Sequence, residues 1–212
     1  MIKRLAIACI PNSVFLRRLP IGMGNCVLLT FDDGPHPETT PAVLQLLEPY
    51  NARAIFFVVG NRIHRAPSVL RMIEQAGHLL GNHSFSHPLR EPFRYQAYLR
   101  DLQKCQQEIL KQGATPSPYH RPPLGSISVA TAIAPRKLGL RSVLWSRSSE
   151  DWRFRSEADA VSSAEQLAAS TQPRDIVLMH DESPYTLILL KHLLPALVDR
   201  GLRFDWSSDG RI

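Results

Sequence analysis

The sequence predicts a parallel α/β fold, a TIM-like barrel of seven strands with helices outside it. Three observations lead there. Seven short apolar runs alternate with segments of helical period along the 212 residues, the order expected of repeated βα units. The runs end in polar or ionisable residues, as strands do whose C-terminal ends converge on one face. The nucleotide loop that usually marks the alternative, an open doubly wound sheet, fails: Gly22-Met23-Gly24 precedes a strand and lacks the third glycine.

Taken in order, Cys26 to Phe31 is a buried strand that stops at Asp32-Asp33-Gly34-Pro35. A helix follows, with Thr40 as N-cap, Pro41 at its first position and Val43, Leu44, Leu46 and Leu47 on its apolar side. Ala54 to Val59 is a second strand, apolar on both faces as parallel sheets require. Pro67 opens a helix with Val69, Leu70, Ile73 and Ala76 at helical spacing, closed by Gly77. Leu79 to Gly81 is a short strand, and Tyr95 to Gln112 a long helix before Gly113. Tyr119 to Arg121 ends a fourth strand before Pro122-Pro123, and Ser128 to Leu138 is helical despite Pro135. Strands at Arg141–Trp145 and Ile176–Met179 enclose a helix over about 157–171, and a helix over 186–200 leads to a last strand, Leu202–Trp206. These units form one domain with its core over about residues 26–206, leaving no room for an appended one.

Hydrophobic residues make up 44% and charged residues 21%, which excludes disordered, collagen-like and membrane classes. Lys and Arg number 25 against 19 Asp and Glu, a net +6 that suits an acidic partner. The basic residues form no run and no aromatic-basic stripe, so nucleic acid is not an expected partner. Cys9, Cys26 and Cys105 have no zinc-ribbon or redox spacing and read as buried thiols. Leu5 to Ile10, between Arg4 and Pro11, is shorter than the roughly 7–15 residues of a secretory core, and no run approaches the ~20 of a membrane span. Export is therefore not predicted, a cytoplasmic location is favoured, and a monomer is expected.

The candidate chemistry sits at strand ends. Asp32 and Asp33 are adjacent, so their side chains point in different directions and can do different work. Alone they equally describe a turn. His83 and His87 are four apart, which on a turn of helix puts both imidazoles within reach of one divalent ion. With a carboxylate from another strand end they make a metal site with open positions. His180 and Arg121 end two further strands, and Asp151-Trp152 lies beyond another. Each has a structural reading by itself; together they match metal-assisted hydrolysis. His36, His64, His78, His120 and His192 read as surface or satisfied histidines, Leu70 and Phe85 as core, and the Asn82-His83-Ser84 sequon as coincidental.

These residues resemble the polysaccharide deacetylases of the NodB-homology type, a carbohydrate esterase family. Five segments carry the resemblance: Thr30-Phe31-Asp32-Asp33-Gly34-Pro35, His83-Ser84-Phe85-Ser86-His87, Arg121-Pro122-Pro123-Leu124-Gly125, Glu150-Asp151-Trp152 and Leu178-Met179-His180-Asp181. The resemblance implies a distorted seven-stranded (β/α) barrel that releases acetate from N-acetylated sugars of a polysaccharide or oligosaccharide. It implies that Asp33, His83 and His87 bind a divalent metal, most often zinc, with cobalt, manganese or nickel as substitutes. It further implies Asp32 as general base, Arg121 holding Asp32 ionised and oriented, the Leu124 N–H as an oxyanion donor and His180 as general acid. Trp152, Leu178 and Asp151 are then substrate-pocket residues.

Two positions depart from the family's pattern. Leu124 stands where many members have Tyr or Phe, and Ser148 where many carry an Asp that tunes the catalytic histidine. Without that carboxylate, unless Glu150 replaces it, the His180 pKa is expected to be raised less, with activity shifted to lower pH or reduced. Ser148 thus favours an alternative, a glycan-binding barrel that keeps the metal and has weakened catalysis. A third reading takes two histidines and one carboxylate as a non-haem iron oxygenase triad; it leaves Asp32 and His180 idle.

Overall fold

A computed structural model of the chain describes residues 11–88, 94–205 and 212. Among these residues eight parallel strands form one sheet: β1 Phe15–Leu16, β2 Leu28–Asp32, β3 Ala54–Val58, β4 Leu79–Asn82, β5 Pro116–His120, β6 Arg141–Val143, β7 Arg147–Ser148 and β8 Ile176–His180. Their order is β1-β6-β5-β4-β3-β2-β8-β7. The curl of the sheet is closed where the segment after β1 meets the start of β8, Leu19 N–H donating to the Arg174 carbonyl at 2.8 Å and Arg18 bridging Asp175, which makes a distorted barrel. Six α-helices among the described residues pack on its outside: α1 Thr39–Leu47, α2 Pro67–Gln75, α3 Tyr95–Lys111, α4 Val129–Lys137, α5 Glu157–Ser170 and α6 Pro184–Asp199.

The strand count departs from the predicted seven at both edges of the sheet. β1 and β7, two residues each, are too short to show a period. The expected strand at Arg141–Trp145 ends at Val143, and three residues later the chain resumes as β7 beside β8. The expected strand at Leu202–Trp206 is reduced to a bridge between Cys26 and Arg203, and Trp206 lies outside the described residues. The reason is pairing: β2 already has β3 on one side and β8 on the other, so Arg203 and Phe204 bond only below the ladders, accepting Val27 N–H and Arg53 N–H. β5 carries Pro116 and Pro118, which cannot donate, and its register against β4 shifts accordingly.

Period-two alternation sorts the strand residues into two layers. Leu29 and Phe31 of β2, with Ala54, Phe56 and Val58 of β3, face the helices in the larger core. Leu28, Ile55, Phe57, Tyr119, Val143 and Ile176 fill the barrel interior. On β2 the interior set continues through Thr30 to Asp32, so the strand that packs the core also carries a carboxylate to the upper rim. Helices close the outer layer with Val69, Leu70 and Ile73 from α2 and Leu189, Leu190, Leu193, Leu194 and Leu197 from α6. Leu70 is core as expected, and Phe85 is half-buried against that core.

α1 begins at Thr39, and Thr40 is not its cap. The His36 Nδ1 accepts the Glu38 and Thr39 N–H groups, while Thr40 Oγ1 accepts the His36 N–H at 2.8 Å and donates to the Asp181 carboxylate. Ser128 caps α4 as a capping box with Thr131. Cys26 and Cys105 are buried free thiols, both pushed up by burial, whereas Cys9 lies outside the described residues. No helix among the described residues is long and apolar enough to cross a membrane.

Candidate active site

Strand register assembles the site. Asp32 is the register partner of His180 on β8, and Asn82, which precedes His83, pairs with His120, which precedes Arg121. Asp32, Asp33, His83, His87, Arg121 and His180 therefore converge at the C-terminal rim. Asp32 points into the barrel, while Asp33 has left the strand with φ 76° and turns toward the histidines.

Asp33, His83 and His87 offer three ligand atoms within 4.8 Å of one another. Asp33 Oδ1 lies 3.2 Å from His87 Nε2 and 3.8 Å from His83 Nε2. Donors held about 2.0–2.2 Å from one ion stand roughly 3–3.5 Å apart. Asp33 Oδ1 is buried and accepts no hydrogen bond, a costly state for a carboxylate oxygen unless a cation meets it. His83 Nδ1 bonds the Arg121 carbonyl at 2.8 Å, which leaves Nε2 with its lone pair toward Asp33. Charge states agree with ligation. Burial works against the Asp33 charge, but His83, His87, His180 and Arg62 together hold its carboxyl below the ordinary range. Burial and the neighbouring His83 lower the His87 pKa, favouring its neutral form. The residues present fit one divalent metal ion.

The two histidines are not on a helical turn. They follow β4 in an irregular loop in which Ser84 (φ 67°) and His87 (φ 44°) are left-handed, bringing the ring centroids to 4.9 Å. Asn82 anchors that loop by donating to the Leu102 carbonyl and accepting the Ser84 N–H, which leaves its buried amide no role as a glycosylation acceptor. Asp101 of α3 accepts the Phe85 and Ser86 N–H groups at 2.9 and 3.2 Å. Arg62 donates to the Asp33 carbonyl and pairs with Glu182 at 2.7 Å, tethering the loop after β2. Neither Asp101 nor Arg62 was expected; both lie in segments whose own pattern is helical or turn-like.

Arg121 is fully buried. Its Nη1 donates to Asp32 Oδ1 at 2.7 Å and Thr30 Oγ1 at 2.8 Å, and its Nε and Nη2 donate to the Val143 and Leu144 carbonyls. The guanidinium also stacks 4.3 Å from the Phe57 ring centroid. Asp32 Oδ1 is thereby committed, and Oδ2 is the atom 3.6 Å from His83 Nε2. Beyond Arg121, Leu124 is exposed and left-handed (φ 57°), and Gly125 (φ 60°) passes so near Trp145 that a Cβ there would stand 2.5 Å from the ring.

On the opposite side, Asp151, expected at the pocket surface, is buried and turned to His180. Its Oδ1 bonds His180 Nδ1 at 2.7 Å, and its Oδ2 accepts the His180 N–H at 2.7 Å and the Thr186 hydroxyl at 3.1 Å. Burial alone would lower the His180 pKa; the Asp151 hydrogen bond and charge, with Asp32 and Asp33, push it up to about 9. The expectation drawn from Ser148 is thus corrected: Asp151 supplies the carboxylate, and Glu150 pairs with Arg153 at 2.8 Å instead. Trp152 is half-exposed and edge-on to His180 at 5.3 Å, whereas Leu178 is buried two residues before it on β8.

In the metal-free protein His180 should titrate near pH 9, and Asp151→Asn should move that titration down, NMR of the imidazole resonances being the measurement. The sign follows from linkage. The raised pKa contributes stability that is complete below about 6.5 and lost as pH rises through about 9. A His180 titration unmoved by Asp151→Asn would remove this assignment.

Of the other histidines, His78 and His120 are buried and bonded. His78 Nδ1 accepts the Ala54 N–H, and burial brings its pKa down to about 4. His120 lies between Tyr98 Oη and Ser142 Oγ, and burial lowers its pKa. His64 and His192 are exposed.

A carboxylate pair, two imidazoles and a buried arginine at the rim of a parallel α/β barrel define a metal-site hydrolase class. The comparisons with known proteins agree. A family model described as polysaccharide deacetylase matches residues 22–143. A chitooligosaccharide deacetylase of Azorhizobium caulinodans is 34% identical over 195 residues, covering 82% of this chain and 89% of that protein. The peptidoglycan-N-acetylglucosamine deacetylase PgdA of Listeria monocytogenes is 32% identical over 92% of this chain, which spans only 41% of that longer protein. Among solved structures, a family 4 carbohydrate esterase from Streptomyces lividans in complex with acetate superposes with a TM-score of 0.76 at 30% identity, over 84% of this chain and 91% of that one. The chitin deacetylase of Colletotrichum lindemuthianum shares the fold, with a TM-score of 0.83 at 24% identity over 92% of this chain and 89% of that one. The chain belongs to the polysaccharide deacetylase family.

Proposed function

We propose that the protein hydrolyses the acetamido group of N-acetylated sugars, such as N-acetylglucosamine units, in an oligosaccharide or polysaccharide, with zinc as the ion held by Asp33, His83 and His87. The observation that carries this reading is the placement of Asp32 and His180 as register partners flanking that ligand set. A divalent ion bound there supplies Lewis-acid chemistry, polarising an acyl carbonyl and acidifying water.

The chain's own residues do the rest. Asp32, its Oδ1 fixed by Arg121, accepts a proton from the attacking water at Oδ2. His180 Nδ1 is locked on Asp151, so Nε2 is the atom that donates a proton to the departing amine. The bond made is oxygen to the acyl carbon and the bond broken is carbon to nitrogen, giving acetate and a free amino sugar. Leu124 offers a backbone N–H to the oxyanion, and Trp152 and Leu178 shape the wall for the acetyl methyl.

The His180–Asp151 bond gives the histidine a carboxylate partner despite Ser148, which supports catalysis over the binding-only alternative. The oxygenase reading leaves the Arg121–Asp32 pair without a task. The deciding measurement is acetate released from N-acetylglucosamine oligomers by protein loaded with zinc, cobalt, manganese or nickel. Turnover that disappears on chelation, returns with the ion and is absent in His83→Ala is expected. Acetate release that persists unchanged in His83→Ala would overturn the assignment.

A further inference from the structure

The barrel lacks a helix on one flank, because only residues 144–146 join β6 to β7. There a groove of about 1530 Å³ opens between the segment around residues 12–21 and α5. That exceeds the about 300–1,000 Å³ typical of a small-molecule pocket and suits an extended chain. Its upper end reaches Gly125 and Trp152, and Trp152 touches His180, so the groove is continuous with the catalytic rim. Trp145 lines it and is half-buried, which offers a flat apolar face.

The groove's charge is lopsided. Six arginines line it. Arg153 is answered by Glu150 and Arg155 by Asp159. Arg18 and Arg147 share a single carboxylate, Asp175, at 2.6 and 2.9 Å, and their side chains stay 44% and 34% exposed. Burial opposes the Asp175 charge, but the Gln172 N–H, Arg18, Ser146 and Arg147 hold its carboxyl below the ordinary range, so it supplies one negative charge to two guanidiniums. Arg174, the sequence neighbour of Asp175, adds a further positive charge to the same lining. Arg174 is left-handed (φ 69°) and fixed on both sides, its N–H on the Cys26 carbonyl and its carbonyl on the Leu19 N–H. A side chain at such a position spares the backbone none of the cost that glycine would avoid. Guanidinium forks that stay accessible around one buried carboxylate match carboxylate or phosphate oxygens.

We propose that this groove binds an acidic stretch of the glycan, a saccharide chain bearing carboxylate or phosphate groups, and delivers its N-acetylated sugar to the rim. The proposal rests on the deacetylase reading for its second half only. Binding can therefore be read without catalysis, from tryptophan fluorescence of chelator-treated protein. The probes are a neutral N-acetylglucosamine oligomer, an oligomer alternating N-acetylglucosamine with a uronate, and a glycerol phosphate polymer.

At low salt at least one acidic probe should bind about tenfold more tightly than the neutral oligomer, and added salt should narrow the gap. The probe bound more tightly identifies the anion. Arg174→Gln should remove most of the preference and raise KM for the acidic substrate with kcat unchanged, and Arg174→Lys should restore part of it. Equal binding of neutral and acidic probes, or a preference indifferent to both salt and Arg174→Gln, would overturn the groove assignment while acetate release from neutral oligomers still stood. Absence of acetate from every oligomer would sink the deacetylase reading and leave the binding result intact.

Discussion

Asp32→Asn should lower kcat/KM for acetate release by about 10²–10⁴, the usual contribution of a positioned general base, while metal content after equilibrium dialysis stays at the wild-type level. The separation follows from the geometry. Asp33, His83 and His87 are the proposed ligand set, and none of them hydrogen-bonds to the Asp32 carboxylate. The amide oxygen of Asn can still accept the Arg121 Nη1 bond, so the variant keeps the arrangement of the rim and loses the basic oxygen at Oδ2. An Asp33→Asn variant should behave differently, losing metal and activity together, because its Oδ1 is the buried oxygen without a hydrogen bond. Activity of Asp32→Asn within tenfold of wild type would show that the proton goes elsewhere.

Much of this site was legible because the fold turns strand ends into neighbours. Asp32-Asp33, Arg121 and His180 each stop an apolar run, and a parallel barrel leaves one rim for such residues to meet on. The adjacency of the two aspartates was readable in the same way: a strand residue faces inward and the next one does not. The His83–His87 spacing points to two imidazoles that do come together beside Asp33, but through a different local structure. Four residues apart describes a helical turn, but the loop reaches the same closeness through left-handed Ser84 and His87, held by Asn82 and Asp101. No periodicity encodes that.

Asp151 is the instructive miss. Beside an exposed Trp152 it reads as a pocket residue, and positions 148 and 150 read as the places for a carboxylate that tunes His180. The chain instead makes a short 3₁₀ turn over Asp151–Arg153 after a left-handed Glu150, which swings Trp152 outward and Asp151 inward beneath His180. A partner 29 residues away is fixed by that turn packing on β8, and only the tertiary structure shows it. The short edge strands were invisible for a related reason: two residues cannot display a period, and the pairing that makes them strands belongs to β6 and β8.

Arg121→Met should destabilise the fold by about 3–5 kcal/mol, because it leaves Asp32 buried without its counter-ion. For a chain of this size that corresponds to roughly 6–20 °C in Tm, and urea unfolding of the metal-free protein is the direct measurement. Met matches the length of the arginine stem and can still lie against Phe57, so the deficit reports on charge and hydrogen bonds more than on packing. The lost donors are those to Asp32, Thr30 and the Val143 and Leu144 carbonyls, which tie β2 and the end of β5 to the end of β6 and the residue after it. A buried ion pair is weak evidence of stability in itself, since an apolar replacement of both partners is often neutral. The double variant Asp32→Leu/Arg121→Met should accordingly recover much of the lost stability and none of the activity. That outcome would mean the pair is kept for the orientation and ionisation of Asp32. A double variant no more stable than Arg121→Met alone would instead make Arg121 chiefly a clamp on the strand ends, with Asp32 as one of several acceptors.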